Sequence, residues 1–76
     1  MTEIRMPQWS MNMSEGVVIQ WHKQEGERIE LGEPLAEIEA AKATGTLESP
    51  VAGTVKQLVV QLEEVVPVQG LIAIIE

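Results

Sequence analysis

Lys42 stands alone between Lys23 and Lys56, inside the run Ala40, Ala41, Lys42, Ala43. Methyl side chains are too small to cover a lysine, so its ammonium group is expected to protrude into water. An exposed lysine titrates near 10.4 and is a poor nucleophile at neutral pH, and no neighbour in the run depresses that value. Chemistry at Lys42 therefore needs outside activation, such as an enzyme presenting an activated acyl group. The plain alternative is a solubilising surface residue. Glu37 and Glu39, two apart on one strand face, have the spacing of paired acid and base carboxylates, but no cleft or partnered base accompanies them, and a solvated strand face is expected. His22 is single, with no cysteine and no second histidine to complete a metal set, so it reads as a surface or strand residue. With no nucleophile and base pair, the chain is expected to have no catalytic residues of its own and not to be an enzyme.

The elements that position these residues must be built within 76 residues, which allow one small domain over 1–76. Phe and Tyr are absent, so the core falls to Val, Ile, Leu and Met with Trp9 and Trp21, a composition that favours strands. Without cysteine there are no disulfides, and packing alone must stabilise the fold. A reducing cytoplasm or mitochondrial matrix is the compartment expected. The longest apolar run, 71–75, is far short of the roughly 20 residues of a membrane helix. No secretory h-region follows Met1. A net charge of -7 with only 5 basic residues argues against nucleic acid and for a solvated acidic surface or steering toward a basic partner.

Short β-branched segments alternate with Gly, Pro and Glu, and no long window carries helical periodicity. Strands are expected over 3–6, 17–24, 28–31, 34–40, 43–48, 53–61, 65–68 and 71–75. A shift of 37 residues aligns 16–39 with 53–76 without a gap and gives eight identities among 24 pairs, where unrelated segments give roughly one or two. The pairs Ile29/Val66, Leu31/Val68, Leu35/Ile72 and Ile38/Ile75 keep apolar character, so the same positions are expected to face the core in both copies. Two copies folded against each other give a flattened all-β barrel or sandwich with pseudo-two-fold symmetry. The junction 40–44 must reverse the chain, and a hairpin there puts Lys42 at or beside its tip.

The motifs MPQWSMNMSEG (6–16), EGERI (25–29), LGEPLAEIE (31–39), KAT (42–44) and SPVAG (49–53) together resemble, in order and without gaps, the lipoyl domains of 2-oxo acid dehydrogenase complexes. Trp9 within the first motif resembles domains of acetoin dehydrogenase complexes. The resemblance implies two four-stranded antiparallel sheets, a barrel-sandwich hybrid, with lipoic acid in amide linkage on Lys42. The arm from lysine Cα to dithiolane ring is on the order of 14 Å. The partners it implies are a lipoate ligase or lipoyl transferase, a thiamine-dependent decarboxylase that reductively acylates the disulfide, an acyltransferase core that passes the acyl group to coenzyme A, and dihydrolipoamide dehydrogenase, which reoxidises the dithiol. The domain itself is expected to be a monomeric carrier within a larger acyltransferase. Partner recognition is implied for Trp9, in the loop beside the lysine hairpin, and for Glu39, Ala40, Ala41, Ala43 and Thr44.

Ala41 stands where the family commonly has Asp, and Ala40 where a hydroxyl residue is usual, which weakens the expectation for the decarboxylase more than for the ligase. Ser10, Glu63 and Gln69 stand where Gly is common; each would cost about 1 kcal/mol if a positive φ is retained, unless the turns are rebuilt. Trp21 is expected in the core, and Met11 and Met13 as gap fillers. One rival is a biotinyl carrier, which shares the fold but usually has Met on both sides of the lysine, where this chain has Ala41 and Ala43. Another is an unmodified docking module.

Overall fold

The computed structural model describes residues 1–40 and 43–76. It has eight strands: β1 (Thr2–Arg5), β2 (Glu15–Trp21), β3 (Arg28–Ile29), β4 (Pro34–Ala40), β5 (Ala43–Glu48), β6 (Gly53–Leu58), β7 (Val65–Pro67) and β8 (Leu71–Ile75). They form two four-stranded antiparallel sheets, β1-β8-β6-β3 and β5-β4-β2-β7. Three strands keep the expected bounds. The other five differ mainly by ending early, where Pro, Gly or Glu turn chemistry interrupts the ladder; β3 shrinks to two residues before the Gly32 turn.

The sheet orders superpose if β5, β4, β2 and β7 map onto β1, β8, β6 and β3, the two-fold implied by the repeat. The mapping extends to individual hydrogen bonds. Gly26 N donates to Val55 O at 2.7 Å, and Glu63 N to Val18 O at 2.7 Å, each bond being the other shifted by 37 residues. Register shifts also recur: between Val18 and Gln20 on β2 and between Val55 and Gln57 on β6, and again at Pro34/Ala36 and where Leu71 and Ala73 meet β1. A bulge places two successive residues on one side of a strand. This is why Leu35 and Ala36, and equally Ile72 and Ala73, are all buried despite the period-two rule.

The core lies between the sheets. Val18/Val55, Ile29/Val66, Leu35/Ile72, Ala36/Ala73 and Ile38/Ile75 are buried in both copies, with Ile4, Met6, Met13 and Val60 around them. Leu31 is a correction: it lies just past β3 in the Gly32 turn and is 70% exposed, whereas its repeat partner Val68 packs on the core. Trp21 is partly buried against the core rather than within it. Met13 fills a gap as expected, but Met11 is fully solvated at the loop tip.

Among the described residues positive φ falls at four, Gly26 (93°), Gly32 (81°), Glu63 (65°) and Gln69 (73°). These too are two repeat pairs, 26/63 and 32/69. The turns carrying Glu63 and Gln69 are therefore retained rather than rebuilt, whereas Ser10 does not adopt a positive φ.

The symmetry fails in one connection. Ser49 and Met6 are equivalent, each exchanging backbone hydrogen bonds with the turn that follows β3 or β7. From Ser49 to Gly53 the chain needs only three intervening residues (50–52), but from Met6 to Gly16 it uses nine (7–15), an insertion of six. That longer loop carries Trp9.

Candidate functional site

β4 and β5 pair in register from Glu37↔Thr46 through Ile38↔Gly45 and Glu39↔Thr44 to Ala40↔Ala43. Ala40 is buried, and Glu39, Ala43 and Thr44 are exposed. The two residues that join this last pair, Ala41 and Lys42, lie outside the described residues, so the expected position of Lys42 at the tip and any contact of Ala41 do too. The far end of β5 leads through Ser49 to Gly53, beside which Thr54 and Glu76 exchange backbone hydrogen bonds of 3.0 and 2.8 Å. Six residues of strand, about 20 Å, thus separate the hairpin's last pair from Glu76 along a molecule 32 Å long.

Trp9 reaches this hairpin. Its indole lies over Gly45, so that a Cβ built there would sit 2.9 Å from the ring's Cη2 atom. Glycine inside a strand sacrifices packing, and here it clears a floor for an aromatic ring. Met13 anchors the loop from below: Gln8 Nε2 donates to Met13 O at 3.1 Å, Trp9 N approaches Met13 Sδ at 3.4 Å, and Met13 N donates to Ser10 O at 3.1 Å. The indole is held from one side and remains 44% exposed on the other. Trp9, Glu39, Ala40, Ala43 and Thr44 are thus gathered at one end of the sheet. The glycine at 45 was readable as a strand interruption but not as Trp9's floor.

The sequence reading also missed a polar cluster on the outer face of this sheet. Glu37 Oε2 lies 2.7 Å from His22 Nε2, and Thr46 Oγ1 donates to the same carboxylate at 2.9 Å. The bonds from His22, and next from Thr46, hold the Glu37 carboxyl below the usual carboxylate range. Lys23 pairs with Glu33 at 3.0 Å nearby, and the Glu33 carboxyl is lowered first by the Glu30 backbone amide and then by Lys23. Carboxylates so stabilised are weak bases, and the cluster fastens strands together rather than offering acid–base chemistry. Among the described residues no group of three His, Asp or Glu side chains is placed to hold a metal ion. Nor is any helix there long and apolar enough to cross a membrane.

The geometry agrees with known proteins. The family model described as "Biotin-requiring enzyme", that of the biotin/lipoyl domains, matches residues 2–75. The dihydrolipoyllysine-residue acetyltransferase component of the acetoin cleaving system of Cupriavidus necator is 38% identical over 95% of this chain, which covers 19% of that protein. Its counterpart in Pseudomonas putida is 35% identical over the same share of the chain and 20% of its own length. The dihydrolipoyllysine-residue acetyltransferase component of the pyruvate dehydrogenase complex of Rickettsia bellii is 40% identical over 96% of the chain and 18% of its own length. The chain thus spans about a fifth of the relatives it matches. The lipoyl domain of the 2-oxoglutarate dehydrogenase complex from Azotobacter vinelandii shares the fold, with a TM-score of 0.82 at 22% identity, over 100% of this chain and 96% of that one. A doubled half-sandwich, matched by the family model along nearly its whole length, places this chain in the biotin/lipoyl family.

Proposed function

We propose that this domain is a lipoyl carrier whose Lys42 Nζ takes lipoic acid in amide linkage. The observation that carries this reading is the β4–β5 pairing to Ala40↔Ala43, which leaves two residues to reverse the chain, one of them the only lysine between Lys23 and Lys56. The residues at the hairpin fit such a group: Ala40 and Ala43 are small, and neither bears a side chain that competes for the amide. When attached, lipoic acid supplies a disulfide that takes up an acyl group and two electrons and releases them again.

The chain's own part is presentation. Bulged, paired strands hold the ends of the hairpin in place, and the opposite end of the sandwich carries Glu76. Tethering raises the local concentration of the arm at each successive active site. The partners that follow are a lipoate ligase or lipoyl transferase, a thiamine-dependent decarboxylase acting on acetoin or a 2-oxo acid, an acyltransferase core and dihydrolipoamide dehydrogenase. The relatives named for acetoin cleavage and pyruvate oxidation support this class, and the net charge of -7 suits basic docking faces on those enzymes. A biotinyl role is disfavoured by Ala41 and Ala43, where methionines would be expected, and by relatives named for dihydrolipoyllysine.

The test is intact mass after incubation with lipoate ligase, ATP and lipoic acid, with a biotin ligase reaction in parallel. One lipoyl increment on the native domain, absent from Lys42→Arg, is the expected result. A biotin increment in its place, or none from either enzyme, overturns the reading.

A further inference from the structure

We infer that Trp9 is an intramolecular resting site for the oxidised dithiolane ring carried on Lys42, an inference that rests on the carrier reading above. Three observations converge. Trp9 is 44% exposed although tryptophan carries one of the largest apolar surfaces of any residue, and nothing among the described residues covers its outer face. Its other face is fixed, lying on Gly45 where even a methyl group would collide, with the loop pinned beneath by Met13. The ring is therefore a held platform rather than a loose side chain. This platform belongs to the six-residue insertion that breaks the symmetry between the two copies of the repeat.

The occupant is chosen by reach and chemistry. Gly45 is three residues from Lys42, so their Cα atoms are at most about 11 Å apart by covalent geometry. An arm on the order of 14 Å spans that distance and lies across the indole without extending fully. A five-membered ring of carbon and two sulfurs is apolar and polarisable, and sulfur favours aromatic rings at about 5 Å. Met11, 96% exposed, adds a second solvent-facing apolar side chain to the same loop. Resting there is reversible and forms no covalent bond. It shields the disulfide between visits to partner enzymes and leaves Lys42's amide linkage unchanged.

The experiment compares Trp9 emission in the native domain loaded with lipoate and with octanoate, which gives an arm of the same chain length without sulfur. Loading of each is checked by intact mass, and Trp9→Phe supplies the contribution of Trp21 to be subtracted. The disulfide quenches an indole it touches, so the Trp9 component is expected to fall at least two-fold in the lipoyl form relative to the octanoyl form. Gly45→Ala, which lifts the indole off its floor, is expected to abolish at least half of that difference. Equal emission from the two loaded forms overturns the resting site while leaving the carrier reading intact. Failure of both ligands to load Lys42 overturns the carrier reading, and the resting site with it.

Discussion

Replacing Glu63 and Gln69 with glycine is expected to stabilise the domain, and the repeat supplies its own control. Both residues hold a positive φ, 65° and 73°, a region that costs an L-residue about 1–2 kcal/mol. Glycine removes that cost but gives back about 0.5–1 kcal/mol in unfolded-state entropy, leaving a net gain of about 0.5–1 kcal/mol at each site. With an unfolding entropy of roughly 2.1 cal/mol/K per residue over 76 residues, 1 kcal/mol corresponds to about 6 °C in Tm. Each variant is therefore expected to melt about 3–6 °C higher in a calorimeter. Glu63→Gln separates the loss of one negative charge from the backbone effect. The reverse changes, Gly26→Ala and Gly32→Ala, test the same conformation in the other copy. A Cβ at either meets no atom within 4 Å, so any destabilisation there is backbone strain rather than crowding. If Glu63→Gly melts at or below the native temperature while Gly26→Ala is also neutral, positive φ carries no cost in these turns and the reasoning fails.

Two further outcomes follow from the core and the polar cluster. Ile38, fully buried between the sheets beside Gly16, is expected to lose about 0.5–1.5 kcal/mol as Ile38→Val, read as a lower urea midpoint at an unchanged m-value. The Glu37 carboxyl is lowered in the folded state by His22 and Thr46, so it contributes stability above the ordinary carboxylate value of 4.5, and this is lost as pH falls through the lowered value. Glu37→Gln is expected to flatten the acid limb of a urea-midpoint titration; a limb identical to that of the native domain refutes the assignment.

Much of the architecture is legible in the sequence because the domain is built twice. The pairs Val18/Val55 and Ile38/Ile75 face inward in both copies for the same reason, the alternation of a half-buried strand. Alternation fails where bulges intervene: no local signal in Pro34, Leu35 and Ala36 says that two neighbours will share one face, since the register shift is set by the partner strand. Leu31 misleads because apolar character is conserved across the repeat while the ladder stops two residues earlier. At the site, the lysine between alanines is visible in the sequence, but the aromatic ring over Gly45 is brought to the β4–β5 pair by tertiary structure. Trp9 and Gly45 are 36 residues apart, and only the loop insertion and the strand register bring them together. His22, just past the end of β2, meets Glu37 on β4 and Thr46 on β5 for the same reason, through a strand alignment that no spacing rule records.

The strand order has a consequence for how the domain comes into being. β8, the last strand, is an interior member of its sheet, hydrogen-bonded to β1 on one side and β6 on the other. During synthesis the first strand must wait, its edge unsatisfied, until residues 71–75 have left the ribosome. The β1–β8 pairing therefore forms only after β8 has emerged, and closing the long loop between Thr2 and Ile75 slows the search for it. A nascent chain bearing Lys42 already exposes the lysine while Ile72 and Ile75 are still missing from the core. A modifying enzyme that reads only the local sequence could act at that stage, whereas one that reads the finished hairpin must wait. For the lipoylation proposed at Lys42, timed release of stalled nascent chains would show which of the two kinds of enzyme acts.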